Sequence, residues 1–230
     1  PSPVVGLPDT EHVEVFNNSN AYFDLKDYTL NDERVTSSSY VLEPGAYAIL
    51  VHKEDLSLFT DYDNIIGMEA WDGLTNSGEK VVLKILDGEV IYEITYDDSW
   101  YKSNDKEDGG WSLELINPDH LCSGADNWTA SENALGGTPG SINSVFDNTP
   151  DLTGPQLLSV SAISQDSLLL TFDEPLDSIS FAEAVFTLDP TVEINDITFE
   201  EDLVRLTFST LLQTSIAYTV TVSLLKDCSG

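Results

Sequence analysis

Apolar and polar residues alternate with a period of two along most of this chain, and few stretches show the three-to-four spacing of a helix. Residues 80–86 place Val81, Leu83 and Ile85 on one face, with Lys80 and Lys84 on the other. Asp87-Gly88 follows, a pair that favours a two-residue hairpin turn because Gly accepts positive φ. Residues 89–96 then return, with Val90, Tyr92, Ile94 and Tyr96 facing one way and Glu89, Ile91, Glu93 and Thr95 the other. Residues 13–15, 47–51 and 112–116 read as further strands. One short helix is expected near 54–59, where Leu56 and Phe59 lie three apart.

The same texture resumes later in the chain. Residues 157–163 open it, and residues 167–172 follow with Leu168, Leu170 and Phe172 on one side. Val204, Leu206 and Phe208 alternate with Arg205 and Thr207, and Tyr218, Val220 and Val222 alternate with Thr219 and Thr221. Strands separated by turn signals, with no long helix, predict an all-β chain of sandwich type. Two Pro and a Gly among short polar residues make 149–155 a linker between a first domain, 1–148, and a second, 156–230.

Charge narrows the functional classes. Across the 230 residues, 41 Asp and Glu face 9 Lys and Arg, for a formal charge of -32. The excess is spread over both halves: residues 1–150 hold 28 acids and 7 bases, and residues 151–230 hold 13 acids and 2 bases. Such a surface repels phosphate backbones, so nucleic acid is not an expected partner. The apolar runs are too short and too often interrupted by Asp, Glu and Gly for a membrane-spanning helix, so no membrane insertion is expected. Neither an initiator Met nor a signal-type segment opens the chain, which reads as a mature form or an excised piece. Cys122 and Cys228 leave three arrangements open: a mutual disulfide, two free thiols, or pairing elsewhere. Two Cys and three scattered His lack the spacing of a zinc site.

Catalytic constellations are missing from the pattern. Ser99-Trp100-Tyr101-Lys102 has S-x-x-K spacing, but it follows a strand and its partner motifs are absent. His12, His52 and His120 sit in unrelated segments, with His12 flanked by Glu11 and Glu14 on what reads as a solvated strand edge. No nucleophile elbow and no phosphate-binding glycine pattern occurs. The chemistry that remains belongs to carboxylates and aromatics. Asp61 and Asp63, and Asp105, Glu107 and Asp108, are hard oxygen donors suited to a structural Ca²⁺, although neither run has EF-hand spacing. Trp100 and Tyr101 lie in a polar stretch and are the aromatic pair expected to be exposed to a ligand such as a glycan. No other cofactor is expected.

Residues 11–19 and 23–32, then residues 42–50, residues 74–83, Ser112-Leu113-Glu114, Asn127-Trp128 and Gly136-Gly137-Thr138-Pro139-Gly140, form an ordered set that resembles a bacterial lamin tail domain over residues 1–146. Asp151-Leu152-Thr153-Gly154-Pro155, Phe172-Asp173-Glu174-Pro175-Leu176-Asp177, residues 218–222 and residues 226–230 resemble a bacterial Ig-like domain over 151–230. The pairing is similar to secreted proteins of Bacteroidetes. The resemblance implies two immunoglobulin-like β-sandwich domains in tandem, the second lacking its last strand, and a bacterial setting that is secreted or at the cell surface. It implies no catalytic residues. The expected role is a non-enzymatic adhesion, spacer or protein-interaction segment. Its partners would be other proteins or other domains of the same polypeptide, with edge-strand pairing one route to them. The alternative is a glycan- or calcium-binding module that targets an attached enzyme.

Overall fold

The computed structural model describes residues 5–121 and 123–227, apart from the side chain of residue 179. Both cysteines fall outside the described residues, and so does the question of their disulfide. The chain is all-β, with short helical turns between strands. It divides into two compact units, the first running to residue 148 apart from residues 120–124, which group with 149–230 in the second.

The first unit is organised around a strand without alternation. Its strands are β1 (Val13–Phe16), β2 (Phe23–Asp24), β3 (Thr29–Leu30), β4 (Glu33–Arg34), β5 (Val41–Leu42), β6 (Tyr47–His52), β7 (Ile65–Met68), β8 (Gly78–Lys84), β9 (Val90–Asp97), β10 (Leu113–Leu115) and β11 (Trp128–Ala130). β6 lies between antiparallel β1 and parallel β7, and Ala48, Ile49, Leu50 and Val51 are all fully buried. A strand covered on both faces needs a continuous apolar run. Ala48 and Leu50 join one core cluster with Leu25, Leu30, Val35, Leu42, Ile66 and Met68. Ile49 and Val51 face the other way onto Phe59. The sheet β4-β3-β8-β9 sends Val81 and Leu83 against the larger cluster, as the alternation of residues 80–86 predicts.

The short helix expected near 54–59 is present as a 3-10 helix, Lys53–Leu58, whereas the two-residue hairpin turn expected at 87–88 is corrected. Six residues, capped by the His52 side chain, are too few to recover the cost of α-helix nucleation. The β8–β9 connection is longer than two residues: Gly88 N–H donates to the Ile85 carbonyl at 2.9 Å, and Ile85 N–H to that of Glu89 at 3.0 Å. Gly88 supplies the left-handed residue, φ +84°, that closes such a three-residue loop.

The second unit is more regular. Its strands are β12 (Leu157–Ser164), β13 (Ser167–Phe172), β14 (Val185–Asp189), β15 (Ile194–Glu200), β16 (Leu203–Phe208) and β17 (Thr219–Ser223). They form an antiparallel sheet in the order β12-β13-β16-β15 and an antiparallel pair β14-β17. Leu168, Leu170 and Phe172 of β13, Val204, Leu206 and Phe208 of β16, and Phe186 and Leu188 of β14 share one core cluster. Arg205 points out, as period-two alternation requires. β12 is an edge strand, and all eight of its residues are exposed.

Candidate functional site

Three turns of the second unit carry one carboxylate each toward a common point. The first turn precedes β12: Thr153 donates through its backbone N–H (2.9 Å) and its hydroxyl (2.7 Å) to Asp151 Oδ1. These bonds hold the Asp151 carboxyl below its ordinary pKa. The second turn follows β13, where Gln156 N–H donates to Asp173 Oδ1 at 2.7 Å and Leu176 N–H to the Glu201 carbonyl at 3.0 Å. Glu174 sits between those anchors. The third turn follows β17. Asp177 N–H donates to the Lys226 carbonyl (3.0 Å), and Lys226 N–H donates to Ser180 Oγ (3.2 Å). This clamp fixes the backbone just before Asp227, a buried residue.

Ligand oxygens of Asp151, Glu174 and Asp227 all lie within 4.8 Å of one another. Three negative charges at that separation repel one another, and the group of highest pKa relieves the repulsion by taking a proton. That group is Glu174, pushed up to about 7, first by burial, then by the neighbouring charges of Asp227, Asp151 and Asp173 and by a hydrogen bond with Asp227. At neutral pH the cluster therefore exchanges a proton readily. A hard cation, or the ammonium or guanidinium of a Lys or Arg, would relieve the same repulsion.

Sequence reading did not single out this triad, although each member lies in a motif that carries the Ig-like resemblance. Their positions, from 151 to 227, follow no local spacing, and only the fold brings them together. The residues expected from sequence are placed elsewhere. Asp61 and Asp63 are exposed around the turn before β7; Asp105 and Asp108 are exposed and Glu107 half-buried around a one-turn helix, α1 (Asn104–Glu107). Among the described residues, none of these five belongs to a group of three carboxylates within ligand distance. Trp100 and Tyr101 are not an exposed platform. Both are half-buried in a 3-10 turn, Asp98–Tyr101, with the Trp100 ring 6.5 Å from that of Trp128 and the Tyr101 phenol pushed up by burial. Apolar aromatic bodies pack inward when a strand end offers them a partner. Nor is His12 on a solvated edge. It is half-buried, its ring edge-on to Phe59 at 5.8 Å, and loss of hydration lowers it to about 4, so it is neutral at physiological pH.

A second carboxylate site occurs in the first unit. Glu114 of β10 is buried and accepts from Ser112 Oγ (3.2 Å), Thr138 Oγ1 (3.0 Å), Ser144 N–H (2.8 Å) and Ser144 Oγ (2.7 Å). Glu14 of β1 accepts from Gly140 N–H at 2.5 Å. Together they pin the strap of residues 136–144. Every oxygen of Glu114 is engaged by the strap or by β10's own start, so this arrangement is an anchor for backbone rather than a receptor for a ligand. Gly136 in the strap has φ +92°, and a Cβ there would meet the Gly110 carbonyl oxygen at 2.2 Å.

No helix among the described residues is long and apolar enough to cross a membrane. Comparison with protein-family models, with curated proteins and with solved structures finds no match to this chain.

Proposed function

We propose that the chain is a non-catalytic pair of immunoglobulin-like β-sandwich modules, the first of lamin-tail type, that works outside a bacterial cell or on its surface by holding other polypeptides. The single observation behind this reading is that, among the strand edges left open by the described residues, two long ones carry exposed apolar side chains. β9 ends its sheet with Val90 and Ile91 exposed, and β12 ends its own with Leu158, Val160 and Ile163 exposed. An edge of this length, with apolar side chains beside unpaired backbone groups, is a template for another strand. The secreted or surface setting rests on the resemblance of residues 1–146 and 151–230 to domains of such proteins. The purified chain is expected to turn over no peptide, ester, glycoside or phosphodiester substrate. Turnover by a preparation free of contaminating enzyme overturns the reading.

A second reading, a calcium-stabilised module, is favoured by the mutual approach of Asp151, Glu174 and Asp227 to within 4.8 Å. Calcium takes carboxylate oxygens in flexible geometry, and extracellular sites bind it at roughly 10⁻⁴–10⁻³ M. Ligand binding to the native state alone raises Tm. Calorimetry in millimolar Ca²⁺, in matched Mg²⁺ and in EDTA tests it. A rise specific to Ca²⁺ and lost in Asp151→Asn supports the site, and equal Tm values in all three buffers dismiss it.

A further inference from the structure

Two open strand edges of the second unit border one groove. β12 has no partner on the side away from β13, and β17 has none on the side away from β14, among the described residues. Between the start of β12 and the end of β17 lies an open groove of about 450 Å³, whose walls include Pro155, Leu157, Phe172, Val222, Leu224 and Leu225. Leu157 is 37% exposed and Leu224 66%. Leu224 also holds φ +62°, a left-handed backbone that a branched side chain rarely adopts. Strained residues of this kind concentrate where a surface is shaped for binding.

The triad members do not line the groove, but each stands within two to four residues of one of its walls. Pro155 follows Asp151 by four residues, Phe172 precedes Glu174 by two, and Leu225 precedes Asp227 by two. Asp173 adds a fourth carboxylate, while Lys226 is the one basic residue of that stretch. A lining that mixes exposed Leu side chains with Gln156 and Ser223, beside a cluster of carboxylates, suits an extended backbone that carries apolar and basic side chains. β12 itself carries no charged residue over its eight positions, so the strand beside it meets no charge barrier along its length. A second copy of this chain fits poorly, because it brings 13 acids and only 2 bases in residues 151–230 to the same place.

We propose that this groove receives an extended segment of a partner polypeptide, which adds a strand beside β12, sets an apolar side chain against the exposed Leu157 and Leu224, and directs a Lys or Arg at the half-buried carboxylates of Asp151 and Glu174. This rests on the reading of the chain as a polypeptide-binding module and names where and what it binds. The backbone ladder supplies affinity that is indifferent to sequence, and the apolar and basic side chains supply selection.

The test uses the full chain and fluorescein-labelled peptides of alternating Thr and Val, one ending in two Lys and one in two Glu, followed by anisotropy. The Lys-ended peptide is expected to saturate, to weaken as salt rises, and to bind at least about tenfold more tightly than the Glu-ended one. Leu157→Lys is expected to weaken it by about tenfold and Glu174→Gln by several-fold. Should Leu157→Lys fail to fold, Leu224→Lys alters an exposed wall position and carries the same expectation. Equal binding of the two peptides, or binding untouched by either groove variant, overturns the proposal. Loss of binding in Ile91→Lys on β9, with the groove variants unaffected, overturns the groove and leaves the binding module standing on the first unit. Binding of neither peptide, at either edge, removes both. A dimer in sedimentation velocity that Leu157→Lys dissolves would assign the groove to a second copy, and displacement of the Lys-ended peptide by millimolar Ca²⁺ but not Mg²⁺ would assign the triad to metal. Each of these last two outcomes also overturns the basic partner.

Discussion

The two units solve the burial of strands in different ways. In the second, each core strand alternates, and one side of β13 and β16 builds a single cluster while the other meets solvent. In the first, β6 is covered on both faces, so its side chains split between two clusters, and much of the remaining chain is irregular backbone tied down by side chains. Asn127 shows the device: its Nδ2 donates to the Asn117 carbonyl at 2.7 Å, while its Oδ1 accepts from Asn117 N–H at 2.8 Å. A regular sheet satisfies its backbone through the ladder, whereas a unit with long loops must recruit Asn, Ser and carboxylates to do the same. The first unit therefore depends on buried polar anchors and the second on apolar alternation.

The largest effects come from the two cores. Leu50→Ala in β6 and Leu170→Ala in β13 each remove a fully buried side chain, and each is expected to cost about 3–4 kcal/mol. If the units are separate cooperative bodies, calorimetry shows two transitions, with Leu50→Ala lowering one and Leu170→Ala the other. A single transition that both variants shift equally would break the comparison between the units.

Sequence patterning exposes the second unit better than the first, for a physical reason. Period-two alternation is visible wherever one face of a strand is wet, and residues 167–172 and 204–208 therefore identify β13 and β16 with their inward residues. The same signal finds β8 and β9, and it places Val81 and Leu83 in the core. β6 is legible as a strand through its apolar run, but nothing local says that Ile49 and Val51 serve a different cluster from Ala48 and Leu50. β7 escapes notice because its four residues are short and its partner β6 pairs with it in parallel, a contact that only the folded chain makes. For the site, conspicuous acidic runs mislead. Asp105 and Asp108 are close in sequence and stay in solvent, where water screens their repulsion. The carboxylates that do converge stand in separate turns, and repulsion among them is overcome by the hydrogen-bonded turns that hold them.

Polar anchoring in the first unit is tested at Glu114. Gln in its place keeps the volume but offers one acceptor oxygen and turns an NH₂ group toward Thr138 or Ser144 donors. Leaving buried donors unmatched is expected to cost about 2–3 kcal/mol. Glu114→Gln should lower the first transition alone and expose the amides of residues 138–144 to hydrogen exchange. Unchanged exchange there would mean that the strap holds itself in place, and that the two units differ less than their hydrogen bonds suggest.

Titration separates the units at a smaller scale. In the first unit burial raises Glu14 to about 7 from its ordinary 4.5, so the folded chain holds its proton longer than the unfolded one and stability falls as pH climbs through that interval. His12 works in the opposite sense. At about 4 against 6.5, it stays neutral in the fold while the unfolded imidazole charges, so stability falls as pH drops through that interval. The two slopes oppose each other, and the first transition should change little between pH 5 and pH 7. Glu174, raised to about 7 in the second unit, meets no opposing shift of this size among the described residues of that unit, and the second transition should weaken as pH rises from 4.5 to 7. Because Glu174 is partly exposed, the swing is expected to be about 1 kcal/mol. Glu174→Gln should flatten the second unit's profile, and Glu14→Gln should uncover a first transition that strengthens with pH. Parallel profiles for the two units in the wild type would refute this assignment of the slopes.

The smallest expected effect bears on what the regular unit holds back from stability. Leu224 is exposed, and its left-handed backbone costs about 1 kcal/mol that glycine would not incur. Glycine also loses more freedom on folding, by roughly 0.5–1 kcal/mol, so Leu224→Gly should leave the second transition within about 1 kcal/mol of the wild type. Peptide affinity decides what the strain means. A Tm that holds while the Lys-ended peptide binds several-fold more weakly makes Leu224 a wall of the groove, kept in an unfavourable conformation by its surroundings. A Tm that drops by several degrees with unchanged binding makes it ordinary packing at the end of β17, and the regular unit would then, like the irregular one, rely on a special backbone position to close its fold.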